Sequence, residues 1–242
     1  MSTTIPDTSL NRDDGELRRL RETYKHRLQS IPAQRYSRLN PGHLFSLHER
    51  EATMAALLSA QGLTSFAGMR ILDVGCGKGL TLRQYVEYGG EPSRMCGVDL
   101  YAPFVEEARA ASPGMQIHCG SASDLQYSDG SFDFVSQFML FTSVLDQRMR
   151  FKIAREINRV LAPGGHLLWY DFGFNNPANP DVRGIRLSEV RQLFPDFSMA
   201  SRRITLAPPL GRAVGKLGPT VYFLLSKIRP LCTHYLCLLT KP

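Results

Sequence analysis

A glycine-rich turn that follows an acid is the most informative short segment of this 242-residue chain. Residues 71–79 read ILDVGCGKG, so that an apolar run containing Asp73 leads into Gly75 and Gly77. Glycine permits positive φ and lets backbone approach a ligand closely, and a helix that follows offers free N–H groups. The G-x-G-x-G spacing differs from the G-x-G-x-x-G of dinucleotide-binding turns. Asp73 would repel a pyrophosphate but suit a cationic amine or sulfonium, so the segment predicts a nucleotide-like cofactor with a positive charge.

Two further polar segments follow at the intervals of a strand–helix–strand unit. Asp99 ends the segment CGVD, 26 residues beyond Asp73. An acid at the end of a second strand can accept hydrogen bonds from both ribose hydroxyls. Residues 120–125, GSASDL, follow a third short apolar segment. Open α/β sheets bind ligands at the carboxyl ends of their strands, so we expect the three segments to line one cleft.

The elements that must position these residues alternate between strands and helices from residue 70 onward. Short connections between them predict a mostly parallel sheet with helices on both faces. We expect strands at 70–74, 95–99, 115–119, 132–138 and 166–172, and helices at 80–88, 102–111, 146–161 and 187–194. Beyond these, the alternating segments 197–206 and 233–240 predict an antiparallel pair at the sheet edge, with a helix at 219–228 between them.

The residues before the glycine turn predict a helical extension. A loose tail over 1–12 precedes two amphipathic helices, at 13–29 and 43–61, which are separated by Ile31-Pro32. We therefore divide the chain into an N-terminal helical extension or lid over 1–62 and a cofactor-binding domain over 63–242. Within that domain, residues 173–232 are expected to include substrate-side insertions.

The ordered segments resemble the class I S-adenosylmethionine-dependent methyltransferases, in the group with a ubiquinone-methyltransferase-like core. They read ILDVGCGKG, GVDL, SASDLQYSDGSFDFV and EINRVLAPGGHLLWYDF, and they cover about residues 70–172. The resemblance implies an α/β, Rossmann-like, doubly wound sheet that is mostly parallel, with an antiparallel C-terminal edge and an N-terminal helical lid. It also implies S-adenosylmethionine as cofactor, S-adenosylhomocysteine as product and no metal.

The same resemblance assigns cofactor contacts to twelve positions of this sequence. Four would line the methionine end: Asp73, Gly75, Cys76 and Gly77. Two would hold the ribose hydroxyls and contact the adenine, respectively: Asp99 and Leu100. Four would surround the adenine, with the acid accepting from its amino group: Ala122, Ser123, Asp124 and Leu125. Two would lie near the sulfonium: Gln137 and Phe138. Purely structural roles also stay open, because aspartate forms turns and Phe138 suits a core.

Methyl transfer to a hydroxyl needs alignment of nucleophile and methyl group, and it benefits from a general base. The candidates are Asp171, which follows the fifth strand, and His43, in the second N-terminal helix. Alternatively, Asp171 holds a neighbouring loop and His43 is a surface or packing residue. Residues 35–38 and 175–180 follow neither helical nor strand periodicity, and they are expected to set substrate specificity. We predict O-methylation of a small-molecule acceptor, a secondary metabolite or glycan hydroxyl.

The charge of the chain is uneven and leaves further partners open. Net charge is +7, and residues 183–242 hold ten basic and two acidic side chains. A nucleic-acid methyltransferase is disfavoured, because the sequence shows no appended RNA-binding motif, no Asn-Pro-Pro-Tyr-type motif and no paired catalytic cysteines. A membrane-surface methyltransferase that acts on a lipid-linked substrate, with contact through 210–239, is less strongly indicated than a solvated edge helix. The sequence is also compatible with a non-catalytic cofactor-binding subunit or with a dinucleotide oxidoreductase.

Cysteine usage and the N-terminus bear on the compartment. Five cysteines without C-x-x-C spacing predict reduced thiols rather than a disulfide framework or zinc site. The polar N-terminus lacks an apolar signal region, and no apolar run is long enough to cross a bilayer. These features favour a cytoplasmic protein. Its oligomeric state is open, with a homodimer as one option.

Overall fold

The computed structural model describes residues 8–30, 32–176 and 179–242. These residues form a seven-stranded sheet with helices on both faces. The strands are β1 (Ile71–Val74), β2 (Met95–Asp99), β3 (Gln116–Cys119), β4 (Phe132–Phe138), β5 (Leu161–Phe172), β6 (Ser198–Leu206) and β7 (Cys232–Thr240). The α-helices are α1 (Thr8–Ser30), α2 (Pro41–Ala60), α3 (Leu80–Glu87), α4 (Ala102–Ala111), α5 (Gln147–Val160), α6 (Leu187–Leu193), α7 (Pro208–Gly215) and α8 (Pro219–Ser226).

The strand order is β3-β2-β1-β4-β5-β7-β6. Strands β1 to β5 pair in parallel, whereas β7 runs antiparallel to both β5 and β6. This confirms the predicted mostly parallel sheet with an antiparallel C-terminal edge. The order of strands reverses between β1 and β4, and ligands of open α/β sheets bind outside the carboxyl ends at such a switch point.

Apolar side chains cover both faces of the sheet. All four residues of β1 are buried, as expected for a parallel strand between two helical layers. On one face Leu72 belongs to the same core cluster as Ile153 and Ile157 of α5. On the other face, β1 and β4 share a core cluster with α2 and α3, whose members include Met54, Leu57, Ile71, Leu82, Tyr85 and Phe134. These two layers fix the position of the strand ends.

Helix α2 is held in close backbone contact with α7. The Asn40 side chain accepts a hydrogen bond from the His43 N–H at the start of α2. A Cβ at Gly42 would overlap the carbonyl oxygen of Gly211, and one at Gly215 would overlap the backbone of Gly42. Helix α2 and helix α7, which lies between β6 and β7 in the chain, therefore pack as one unit.

Three details differ from the sequence prediction. Strand β5 begins at Leu161 rather than at residue 166, because Leu161 already pairs with Phe132 across a register shift. Helix α1 begins at Thr8, so the predicted loose tail is wrong for residues 8–12, and residues 1–7 lie outside the described part. Helix α7 was not predicted, since its two prolines and two glycines obscure the helical pattern. The division of domains at residue 62 stays a prediction.

Candidate cofactor cleft and acceptor side

The glycine turn lies between β1 and α3 at the carboxyl edge of the sheet. Gly75 and Gly77 have φ values of +76° and +52°, which favour glycine. A Cβ at Gly75 would also lie 3.3 Å from Cδ1 of Leu140. The N–H groups of Gly75 and Cys76 both donate to the Val98 carbonyl oxygen, at 2.7 and 3.0 Å. The turn is thereby fastened to β2, the strand that ends in an acid.

Asp99 joins the glycine turn to the next helix. Its Oδ2 accepts from the Gly77 N–H at 2.8 Å, and its Oδ1 accepts from the Tyr101 N–H at 2.9 Å. The side chain is 7% exposed and lines the cleft. Burial raises the pKa of this carboxyl, and the backbone hydrogen bonds oppose that shift. Each oxygen keeps further lone-pair capacity, so a ligand hydroxyl can bind in addition.

Asp73 lies beneath the turn and is buried. Its Oδ1 accepts from the Ser136 hydroxyl at 2.6 Å. Burial raises its pKa to about 7 and nearby Asp99 adds to the shift, while Ser136 and the charge of Arg50 oppose it. A cation bound beside this carboxyl would favour its ionised form. The position therefore suits a positively charged ligand.

Of the four residues predicted around an adenine, the structure places one on the cleft wall. Ala122 lines the cleft, as does Leu100 at the end of β2. The Ser123 N–H donates to its neighbour Ser121 at 3.2 Å. Leu125 is buried in the core, whereas the side chain of Asp124 is exposed. The assignment of Ser123, Asp124 and Leu125 to the adenine stays a prediction.

Helix α1 covers the cleft from above. Three of its side chains line the cavity: Leu17, Leu20 and Tyr24. The helix is anchored by Glu16, whose Oε1 accepts from the Leu145 N–H at 2.6 Å, and by Arg19, which donates to the Ser143 carbonyl oxygen at 2.6 Å. It thus occupies the position that a lid would take.

The cleft presents acceptor and apolar groups but little free space. Asp99 presents acceptors for hydroxyls, and Leu100 and Ala122 present apolar contact. Asp73 is buried beneath the glycine turn and is not among the residues that line the cavity. The cavity measures about 50 Å³, room for a few water molecules. Small-molecule sites usually measure about 300–1,000 Å³. A ligand of that size needs more room than the cavity provides, and α1 contributes three of the side chains that close it.

On the other side of Phe138, the guanidinium group of Arg50 marks a second part of the site. Arg50 belongs to α2, and its Cζ lies 5.0 Å from the ring centroid of Phe138 and 5.2 Å from that of Tyr170. Phe138 itself lines the cleft. Arg50 therefore lies over the ends of β4 and β5, next to the cleft. We call this region, over β4, β5 and β7, the acceptor side.

Arg50 has no ion-pair partner among the described residues. The acids next to it in sequence face elsewhere. Glu49 accepts from the Thr205 N–H at 3.1 Å, and Glu51 accepts from the Tyr88 hydroxyl at 2.8 Å. The half-buried guanidinium is therefore available to a ligand.

Two imidazoles lie on the acceptor side or close to it. His234 stacks on Tyr170 with ring centroids 5.0 Å apart, and burial together with the charge of Arg50 lowers its pKa to about 3. His43 lies half-buried with its ring 5.7 Å from that of Tyr36. Burial and the charge of Arg50 lower the pKa of His43 as well. Both imidazoles are therefore neutral near pH 7.

Gln137 and Asp171 form a buried pair behind the cleft. Asp171 Oδ2 accepts from Gln137 Nε2 at 3.0 Å, and Oδ1 accepts from the Thr142 hydroxyl at 2.6 Å. Gln137 Oε1 accepts from the Leu140 N–H at 3.2 Å. Burial raises the pKa of Asp171 to about 7 against these hydrogen bonds. The contacts favour positioning of the turn after β4, while the roles of base for Asp171 and sulfonium contact for Gln137 stay predictions.

Several residues at the cleft or its rim were not singled out from the sequence: Leu17, Leu20, Tyr24, Arg50, Leu140, Ser143 and His234. Five of them come from α1, α2 or β7, where no local motif identifies them, whereas Leu140 and Ser143 follow β4 within five residues. Within the described ranges, no group of three or more His, Cys, Asp or Glu side chains could hold a metal ion. No helix among the residues described is long and apolar enough to cross a membrane.

Comparison with known proteins agrees with the geometry of the cleft. Residues 72–169 match the family model described as methyltransferase domain. The demethylmenaquinone methyltransferase of Staphylococcus aureus (strain MRSA252) is 29% identical over 143 residues, which is 58% of this chain and 56% of that protein. The chain thus spans about half the length of the curated relatives it matches.

Solved structures share the fold at low identity. An S-adenosylmethionine-dependent methyltransferase from Mesorhizobium loti has a TM-score of 0.58 at 19% identity, over 77% of this chain and 96% of that one. The cyclase SpnF has a TM-score of 0.55 at 19% identity, over 77% and 80%. A cyclase among these neighbours illustrates that one fold supports more than one chemistry. The chemistry of this chain must therefore be argued from its site.

Proposed function

We propose that this chain is a class I S-adenosylmethionine-dependent methyltransferase that methylates a hydroxyl of a small-molecule acceptor, a secondary metabolite or a glycan. The observation that carries the proposal is the Asp99 carboxylate at the carboxyl end of β2, held by the Gly77 and Tyr101 N–H groups. Apolar Leu100 and Ala122 lie on the same cleft wall. This combination supports recognition of a ribose that carries a planar base.

S-adenosylmethionine, when bound, supplies an electrophilic methyl group on a sulfonium. The residues proposed to hold its methionine end are Asp73, Gly75, Cys76 and Gly77. Those proposed for the ribose and adenine are Asp99, Leu100, Ala122, Ser123, Asp124 and Leu125, and those for the sulfonium region are Gln137 and Phe138. The buried carboxyl of Asp73 supports binding of a cation at the methionine end.

Alignment and exclusion of water are the main tasks of this chain in an in-line displacement. Helix α1 above the cleft and the rings of Phe138 and Tyr170 beside it would exclude water. We propose that a ring nitrogen of His43 accepts the proton of the acceptor hydroxyl, because its imidazole is neutral near pH 7. Asp171 would act through Gln137 and the turn after β4.

The acceptor is proposed to lie between α2 and the loop after β5. That loop is tied to the site, since the Arg183 N–H donates to the Thr142 carbonyl oxygen at 2.9 Å and the Gly184 N–H donates to Asn175 Oδ1 at 3.0 Å. Residues 177–178 of the predicted specificity segment lie outside the described part. The curated relative is named for methylation of demethylmenaquinone, which makes an acceptor carried on a lipid the second candidate.

The first test is calorimetric titration of the full chain with S-adenosylhomocysteine. We expect micromolar binding, and we expect Asp99→Ala to weaken it at least tenfold, since a hydrogen bond to a charged group contributes about 1.5–3 kcal/mol. Asp196→Ala, at an exposed acid far along the chain, is the matched control. Binding of NAD(P) without binding of S-adenosylhomocysteine would overturn the proposal.

Turnover is tested separately with methyl-labelled S-adenosylmethionine and panels of glycan and metabolite alcohols. Label recovered in an ether product supports O-methylation. Micromolar cofactor binding without label transfer to any alcohol, with or without a lipid carrier, would favour the non-catalytic subunit instead. Unchanged affinity in Asp99→Ala would remove that residue from the site.

A further inference from the structure

The outward faces of α7 and α8 expose leucines beside lysines. Leu217, directly after α7, is 69% exposed, and Leu224 of α8 is 66% exposed. On α8 the exposed positions include Thr220 and Leu224, and Lys227 and Ile228 are exposed directly after its last residue, at spacings of three and four from Leu224. At the end of α7, Lys216 and Leu217 are exposed together. Each helix therefore presents an apolar side chain next to a cationic one.

Every charged side chain in the segment that contains α7 and α8 is basic. Residues 207–231 contain four basic residues and no acidic residue. Arg212, Lys216 and Lys227 form no ion pair within the described part of the chain. A solvated face of an ordinary helix usually mixes both signs of charge. The pattern here is complementary to a negatively charged surface.

The segment before α2 extends the same surface. Leu39 is 92% exposed, and it lines a groove together with Arg212 and Lys216 of α7. Residues 32–41 contain two arginines and no acid. Of the ten large hydrophobic side chains that are exposed in the described part, five lie in 32–41 and 207–231: Tyr36, Leu39, Leu217, Leu224 and Ile228. Exposed apolar side chains are thus concentrated where the charge is exclusively positive.

The inner sides of the same helices are firmly packed. Gly42 of α2 is in backbone contact with Gly211 and Gly215 of α7. The Tyr222 hydroxyl of α8 donates to Glu49 Oε2 at 3.3 Å, one residue before Arg50. The helices that carry the exposed leucines therefore pack against α2, the helix that also carries Arg50 of the acceptor side.

We propose that this docking surface, formed by Leu39, Arg212, Lys216, Leu217, Leu224 and Lys227, binds an anionic lipid bilayer. Isolated leucines can insert among acyl chains while the long basic side chains reach the headgroups. Each lysine or arginine near the surface adds attraction to anionic lipid. Resting on the proposed function, docking would bring the acceptor side next to an acceptor carried on a lipid.

The test is sedimentation of the full chain with phosphatidylcholine vesicles, with and without phosphatidylglycerol. We expect binding only to the anionic vesicles. Leu217→Ser combined with Leu224→Ser should weaken binding at least tenfold, because both apolar contacts with the acyl chains are lost. Lys216→Gln combined with Lys227→Gln should weaken it and reduce its dependence on salt. Leu39 lies outside the helices, so Leu39→Ser should leave the fold intact. This variant should also weaken vesicle binding, and it provides the test if the double variants unfold.

Helix α5 provides the matched controls, because it also exposes an aromatic residue between two arginines. Phe151→Ser, and Arg148→Gln combined with Arg155→Gln, should leave vesicle binding unchanged. Equal loss in these controls would attribute binding to overall charge and overturn the proposal, as would no binding or equal binding to neutral vesicles. S-adenosylhomocysteine titration of each variant separates the two proposals: cofactor binding without vesicle binding contradicts docking alone, and the reverse contradicts the proposed function alone.

Discussion

The cofactor side and the acceptor side of the sheet edge are built from different kinds of contact. On the cofactor side, Asp99 is hydrogen-bonded to the backbone of Gly77, in the turn after β1, and of Tyr101, directly after β2. On the acceptor side, Arg50 from α2 contacts Phe138 from β4 and Tyr170 from β5. The first set is fixed by local backbone geometry, and the second by packing between elements far apart in the chain.

This difference explains why the cofactor side can be recognised from the sequence and the acceptor side cannot. The glycine turn after β1 and the acid at the end of β2 have a characteristic spacing in the sequence. The class of ligand can therefore be inferred from that spacing. A guanidinium over two rings is recognisable only after folding has brought three elements together.

The largest effect that can sharpen this comparison is expected for Asp171→Ala. The change leaves the Gln137 amide and the Thr142 hydroxyl buried without their acceptor, which should lower the free energy of unfolding by about 3 kcal/mol. Urea unfolding measures this loss. S-adenosylhomocysteine affinity should fall less than it does in Asp99→Ala, since Asp171 acts through the turn after β4.

Asp196→Ala again serves as the control, because this exposed acid should leave unfolding within about 0.5 kcal/mol of the parent. Contradiction would come from a stable Asp171→Ala variant that loses cofactor affinity more than tenfold. Asp171 would then belong to the cofactor side, and the boundary between the two sides would have to be moved.

The fold was largely accessible from the sequence, because strands and helices alternate with clear breaks. Trp169 and its neighbours read as a strand, and the predicted parallel pairing of the central strands is confirmed. The start of β5 was misjudged, since Pro163-Gly164-Gly165 reads as a turn although Leu161 pairs with Phe132. Helix α7 was not predicted, because its glycines are explained only by its packing against Gly42.

The candidate site was accessible only in part, and the reason is physical. The structure places Gly75, Asp99 and Ala122 on the cleft wall through backbone geometry that the motifs encode. Leu20 and Tyr24 reach the same cleft from α1, where their spacing indicates only an amphipathic helix. Which surface such a helix covers depends on long-range contacts such as the hydrogen bond from Leu145 to Glu16.

A smaller effect is expected where α1 covers the cofactor side. Burial alone would raise the pKa of Glu16, but hydrogen bonds from Arg19 and the Leu145 N–H lower it overall. The ionised carboxyl therefore stabilises docking of α1 above the unfolded pKa near 4.5, and this contribution is lost as pH falls through the lower folded value. Glu16→Gln should loosen α1 by about 1.5 kcal/mol.

Trypsin cleavage at Arg18 and Arg21 reports on that loosening, since both side chains are exposed on α1. Cleavage should be about tenfold faster in Glu16→Gln, and association of S-adenosylhomocysteine should be faster as well. Glu22→Gln, at an exposed position of the same helix, should change neither rate. Equal rates in both variants would show that Glu16 does not hold the helix over the cleft.

The smallest effect is expected for Arg50→Gln, which tests the division between the cofactor side and the acceptor side. The charge of Arg50 contributes to the lowered pKa of His43, so its removal should raise that pKa toward the ordinary value. Proton NMR titration of the imidazole measures the change, and Arg50→Lys should keep the pKa low because the charge stays. Affinity for S-adenosylhomocysteine should stay within about threefold of the parent, a change of roughly 0.6 kcal/mol. A tenfold loss would instead place Arg50 on the carboxylate of the cofactor, and the guanidinium would then belong to the cofactor side although its partners Phe138 and Tyr170 lie over β4 and β5.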